Sequence, residues 1–179
     1  MRVLIHRTCS KSIAAVQALE AKGYIPEIIL YREPGVLTDA LLQEVQERLR
    51  QPLRAILRTK EDAAAGIDAL ADDALPAYVR AHPELLERPI VLARGAALVA
   101  RPPREVWELV PEVSFDRRDE DTLPDALRSI PDAERALADT QGPYRALYAD
   151  QTPVAIQARD TRWIAPGWED LGLEKILEA

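Results

Sequence analysis

Cys9 is the only cysteine of the 179-residue chain. It stands in the run Arg7-Thr8-Cys9-Ser10-Lys11-Ser12. A helical pattern begins at once after it. The first amides of a helix point outward and carry partial positive charge. A thiolate seated there is stabilised, and its pKa falls below the free value of about 8.5. Ser10 and Ser12 are placed to cap the first turn, and Lys11 adds a positive charge nearby. A lone cysteine also reads as a small buried hydrophobe. The polar neighbours weigh against that, and on local sequence alone the two readings stand level. Cys9-Ser10-Lys11-Ser12 has the C-x-x-S form, without the second thiol of a dithiol enzyme. A product held on Cys9 would need electrons from an external thiol.

Other chemistry is thinly provided for. One cysteine excludes an internal disulfide and a zinc site built on several thiolates. The histidines are His6 and His82 alone. No metal site and no bound cofactor are expected.

The elements that must position Cys9 follow from periodicity. Residues 2–6 are a short apolar run led by Val3 and Ile5, which predicts a buried strand. Ile13, Val16 and Leu19 recur at helical spacing with alanines between, so these three are expected to face the core. Gly23 ends that helix. Residues 25–31 predict a second, parallel strand, completing a βαβ unit. Residues 37–50 predict a helix with Leu41, Leu42, Val45 and Leu49 on one face. A short helix over 53–57 follows, then helical turns over 61–86 broken by Pro76 and Pro83. Pro89 to Ala93 predicts a strand, Gly95 a turn, and Ala97 to Ala100 the returning hairpin strand. Pro102-Pro103 opens a helix over 104–110.

Residues 111–124 are charged and unpatterned, so the domain boundary is placed there, between 1–112 and 113–179. The remainder predicts a helix over 123–138, strands over 144–148, 153–158 and 161–164, and a closing helix over 173–177. Trp163 and Trp168 read as core or interface anchors.

Net charge is -7. Residues 1–112 hold 15 Lys+Arg against 16 Asp+Glu, a net of -1, and residues 113–179 hold 8 against 14, a net of -6. An acidic tail repels phosphate backbones, so no nucleic-acid partner is expected. No apolar run approaches the ~20 residues of a membrane span. The N-terminal apolar stretch is too short for a signal peptide. A cytoplasmic protein without membrane association is expected.

Five segments, in order, carry a family resemblance: His6-Arg7-Thr8-Cys9-Ser10-Lys11-Ser12, Leu57-Arg58-Thr59-Lys60-Glu61, His82-Pro83, Arg88-Pro89-Ile90-Val91, and Arg101-Pro102-Pro103 with Val106. Together they resemble the motifs of the glutaredoxin-linked arsenate reductases, over residues 1–112. The resemblance implies an α/β fold with a thioredoxin-like mixed sheet and a helical insertion. Residues 113–179 would add a small α+β extension. It implies Cys9 as the nucleophile and Arg58, Arg88 and Arg101 as an oxyanion clamp. Arg stays ionised and offers a planar fork suited to such a ligand. Ser10, Lys11 and Ser12 would contribute helix-start donors. Arg94 or Arg104 are alternatives to Arg101, and Arg54 is a further candidate. Pro89 is implied to be a structural cis proline facing the cysteine. The implied partners are a small arsenate-like oxyanion and glutathione or a glutaredoxin as external reductant.

One departure stands out. The family reads His-Asn-Pro-x-Cys, whereas here Ile5 holds the histidine's place and His6 lies one position along, on the opposite face of a strand. Arg7 reads as surface charge or as an electrostatic substitute for that histidine. Thiol exchange without arsenate chemistry, and a non-enzymatic regulatory role, remain open. So do three roles for residues 113–179: packing on the first domain, covering its site, or mediating self-association.

Overall fold

The computed structural model describes residues 1–111, 113–121, 130–137 and 143–179. Glu112, where the sequence places the boundary, lies outside them, as do residues 123–129 and 138 of the expected helix.

The first unit is built on β1 (Arg2–Leu4), α1 (Ser10–Glu20), β2 (Glu27–Ile29), α2 (Asp39–Leu49), α3 (Leu75–Ala81), β3 (Ile90–Ala93), β4 (Ala96–Val99) and α4 (Val106–Leu109). The sheet order is β2-β1-β3-β4. β1 and β2 are parallel, and β3 and β4 run antiparallel to their neighbours. The βαβ unit and the hairpin at Gly95 thus form where apolar periodicity places them. Between α2 and β3 the chain makes short 3-10 turns at Leu53–Ile56, Asp62–Ala64, Ile67–Ala69 and Pro83–Leu85 around α3. Pro76 lies in the first turn of α3, where a missing N–H costs nothing.

One face of the sheet packs on α2, α3 and the turns, around Leu4, Tyr31, Leu42, Ile56, Ile90 and Leu92. The other face packs on α1 and α4. Here a correction is needed. α1 buries Ser12, Ala15 and Leu19, while Ile13 is 42% exposed. The helix is rotated so that its first inward residue is a serine, and the cause lies in the site described below.

The chain then forms a second antiparallel sheet, β5 (Phe115–Glu120), β6 (Tyr144–Ala149), β7 (Thr152–Ala158) and β8 (Thr161–Ile164), in the order β5-β6-β7-β8. α5 (Pro131–Leu137) covers one face with Ala133 and Leu137 against Tyr144, Ile156 and Trp163. α6 (Leu173–Glu178) closes the chain. β5 is a strand where the sequence shows none: Phe-Asp-Arg-Arg-Asp-Glu lacks apolar alternation, and long-range pairing with β6 holds it.

The two sheets share a core. Leu147, Val154, Ala155, Leu171, Leu173 and Leu177 pack with Val3, Leu19, Tyr24, Val91 and Val106. Phe115 meets Tyr24 edge to face at 5.2 Å. Asp170 fastens the seam. Its carboxylate accepts from the backbone N–H of Arg94 at 2.6 Å and of Gly95 at 3.1 Å, and lies 3.5 Å from Arg48. Its carbonyl accepts from the Met1 ammonium. Of the three roles considered for the extension, packing on the first unit is the one seen. The Met1, Gly23 and Arg94–Gly95 contacts lie at the sheet end opposite Cys9, so the described residues of the extension do not cover the site.

Candidate active site

The site forms where β1 ends, α1 begins and β3 begins. Antiparallel register pairs Leu4 with Ile90, which brings the Arg88-Pro89 corner beside the Ile5-His6 end of β1. The Arg88–Pro89 peptide bond is cis. A short antiparallel bridge, Leu57 to Leu86, with Arg58 N–H donating to the Leu85 carbonyl at 2.7 Å, carries Arg58 to the same end.

Cys9 occupies the position just before α1, with φ -82° and ψ 113°. Its N–H donates to the His6 carbonyl at 3.0 Å, and its carbonyl accepts from Ile13 at 3.0 Å. An N-cap side chain normally accepts the second or third helical N–H. The Cys9 side chain makes no full cap hydrogen bond, but those amides, of Lys11 and Ser12, act on its sulfur. The thiol is partly buried. Burial by itself raises its pKa; the Ser12 hydroxyl, the Ser12 and Lys11 amides and the Arg88 side chain outweigh that and lower it. Ser12 is fully buried, and its hydroxyl lies 3.5 Å from the His6 N–H. This explains the turn of α1: Ser12, not Ile13, must point inward to reach the sulfur. Ser10 is exposed and supplies no cap, contrary to the sequence expectation.

The Arg88 guanidinium lies between two acceptors, the oxygen of the buried Tyr31 hydroxyl and the Cys9 sulfur, while its Nη1 donates to the Glu84 carbonyl at 3.1 Å. Tyr31 escapes sequence reasoning because a tyrosine ending an apolar strand reads as core. Its hydroxyl donates to the Leu86 carbonyl at 3.4 Å. Burial raises the phenol pKa, opposed by Arg88, Arg32 and Arg58. Arg58 and Arg88 therefore act on one point.

The other expected clamp members are differently engaged. Arg58 pairs with Glu61. Arg101 pairs with Glu87 at 3.0 Å and donates from Nε to the Arg88 carbonyl at 3.0 Å, so it braces the cis-proline corner. Lys11 is exposed, and its amide rather than its ammonium serves Cys9. Among the alternatives, Arg54 is consumed by Asp72 and by the Ile67 and Leu70 carbonyls. Arg94 belongs to the Asp170 seam. His6 faces Thr8, 3.1 Å from its hydroxyl. Partial desolvation, then Arg32 and Arg88, lower its pKa. Arg7 makes an exposed pair with Glu33 at 2.9 Å. Among the described residues no group of three or more His, Cys, Asp or Glu is arranged to hold a metal ion, and no helix is long and apolar enough to cross a membrane.

A mixed four-stranded sheet with a cysteine at the start of the first helix and a cis proline leading into β3 defines a thioredoxin-like domain. The family model of the ArsC family matches residues 5–109. The chain is 38% identical over 108 residues to an arsenate reductase of Neisseria meningitidis, covering 91% of that protein and 57% of this chain. It is 34% identical over 106 residues to the uncharacterized protein YfgD of Escherichia coli, covering 89% of that protein and 57% of this chain. Among solved structures, the arsenate reductase from Vibrio cholerae superposes with a TM-score of 0.55 at 34% identity, over 61% of this chain and 96% of that one. The chain belongs to the ArsC family, and its first unit is arsenate-reductase-like. The family match ends at residue 109, before the second sheet begins.

Proposed function

We propose that the chain is a monothiol oxidoreductase of the arsenate-reductase type. The Cys9 thiolate attacks the central atom of an arsenate-like oxyanion, an S–As bond forms, and an oxygen leaves as water. An external thiol, glutathione or a glutaredoxin, then supplies reduction. Two thiol equivalents give two electrons and leave as a disulfide, arsenic passes from the +5 to the +3 state, and Cys9 is released as thiolate. A cytoplasmic setting, where such thiols stay reduced, suits this cycle. One observation carries the reading: the Ser12 hydroxyl, two helix-start amides and the Arg88 side chain converge on one sulfur. The donors that favour the thiolate also fit an incoming oxyanion, so activation and binding share a cause.

In this reading Arg88 holds the oxyanion directly. Arg58 and Arg101 join when the anion competes with Glu61 and Glu87 for them. The test is turnover of arsenate with glutathione, glutaredoxin and an NADPH-coupled disulfide reductase. Turnover in the native protein and its loss in Cys9→Ser support the proposal. A second reading is favoured by the engagement of Arg58 and Arg101 with carboxylates: thiol exchange without an oxyanion. It predicts a mixed disulfide between Cys9 and glutathione alongside absent arsenate turnover.

A further inference from the structure

We propose that Tyr31 is a positioning residue: its buried hydroxyl holds the Arg88 guanidinium against the Cys9 sulfur and does not itself touch substrate. The inference deepens the oxidoreductase reading above and rests on it for its kinetic arm alone. Strand register brings the two side chains together. Leu4 pairs with Ile29 in parallel and with Ile90 antiparallel. The Ile5 N–H extends the first ladder to the Ile29 carbonyl at 2.9 Å. Tyr31 stands two residues after Ile29, and Arg88 two residues before Ile90. Both therefore reach the Cys9 end of the sheet, on the face of Ile90, where Tyr31 packs.

The phenol is 0% exposed, in the cluster of Leu4, Leu42, Ile56 and Ile90. Phenylalanine would fill that space without the cost of burying a hydroxyl, so the oxygen calls for a reason beyond packing. Burial keeps the phenol protonated, and its hydrogen goes to the Leu86 carbonyl. The oxygen lone pairs are left for the Arg88 guanidinium, which they meet. Arg88 depends on that acceptor. Arg101 Nε fixes its backbone carbonyl, and the Glu84 carbonyl accepts from its Nη1. Its Nε, however, is buried with no hydrogen-bond partner among the described residues. An unpaired buried donor is costly. Loss of the Tyr31 oxygen adds a second one, and the guanidinium is then better solvated by swinging out to water, away from the sulfur. Arg58 and Arg32 also bear on the phenol. Glu61 holds Arg58, and Arg32 lines the open cleft beside Thr8, so neither takes the place of Arg88 at Cys9.

The test is a double-mutant cycle in the full-length protein. Tyr31→Phe keeps the ring and its packing, and thermal unfolding verifies the fold of each variant. The pH midpoint of Cys9 alkylation by iodoacetamide should rise in Tyr31→Phe, in the same direction as in Arg88→Ala. In steady-state arsenate reduction the KM for arsenate should rise roughly threefold with kcat little changed. In the Arg88→Ala background, Tyr31→Phe should move neither quantity further, because the phenol acts through that side chain. An unchanged midpoint or an unchanged arsenate KM in folded Tyr31→Phe overturns the proposal. So does a shift of the same size in the Arg88→Ala background, which a merely structural tyrosine would give. Failure of the parent reading looks different: the native protein turns over no arsenate with any thiol, yet the alkylation midpoint still moves with Tyr31→Phe and still requires Arg88 to do so.

Discussion

Arg88→Ala gives the sharpest expectation for the oxyanion site. The substitution deletes the guanidinium that hydrogen-bonds the Cys9 sulfur. A hydrogen bond to a charged group contributes about 1.5–3 kcal/mol when shielded from water. Arg88 and Cys9 are both only partly buried, which selects the lower end, about 1.5 kcal/mol. That corresponds to roughly a tenfold rise in the KM for arsenate. The fold should survive, because Tyr31 keeps its bond to the Leu86 carbonyl and Arg101 binds the backbone of residue 88 rather than its side chain. Arg88→Lys retains the charge and loses the fork, so it should fall between native and alanine. The assay is steady-state arsenate reduction with glutathione and glutaredoxin saturating, with thermal unfolding run on each variant. An unchanged KM for arsenate in a folded Arg88→Ala protein would refute the reasoning.

Three further expectations concern the frame. Asp170→Ala removes the acceptor of two backbone N–H groups and the partner of Arg48; discounted for its partial exposure, the loss is about 1–2 kcal/mol, a fall of roughly 2–8 °C in Tm by calorimetry. The neighbouring donors also set a pH dependence. Burial raises the Asp170 pKa, but the Gly95 and Arg94 amides, the N-terminal ammonium and Arg48 outweigh it and hold the pKa below 3.8. A depressed carboxyl stabilises the fold above its unfolded pKa and loses that contribution as pH falls through the folded value. Native protein should therefore lose stability below about pH 4, and Asp170→Ala should lose less over that interval. Gly23 has φ +79°, and a Cβ there would stand 2.9 Å from the Phe115 ring; Gly23→Ala should cost about 1–3 kcal/mol by strain and overpacking, readable as a lower urea midpoint.

Much of the first unit was legible because its elements are local. The apolar run before Cys9, the helical spacing after it, and the Gly95 turn each need only neighbouring residues to be read. The resemblance added the implied pairing of Arg88-Pro89 with Cys9, which spacing alone does not reveal. What stayed hidden depends on distant partners. β5 is a strand only because β6 lies beside it, and its charged residues carry no period. The outward turn of Ile13 follows from Ser12 reaching the sulfur, a contact that helical apolar spacing cannot anticipate. Glu61 and Glu87 read as ordinary surface acids until the fold sets them on Arg58 and Arg101. Tyr31 looked like core and is core, but its hydroxyl meets Arg88 through a crossover of more than fifty residues. The role of Asp170 was equally invisible, since it joins the last loop to the first residue of the chain.

The central claim is that the donors around Cys9 hold its thiol pKa below that of an ordinary cysteine. It is tested most directly by its rate of alkylation by iodoacetamide as a function of pH, alongside N-acetylcysteine as the reference thiol. The account predicts a midpoint below that of the reference, moving back toward it in Ser12→Ala. A midpoint at or above the reference, unmoved by Ser12→Ala, would contradict it.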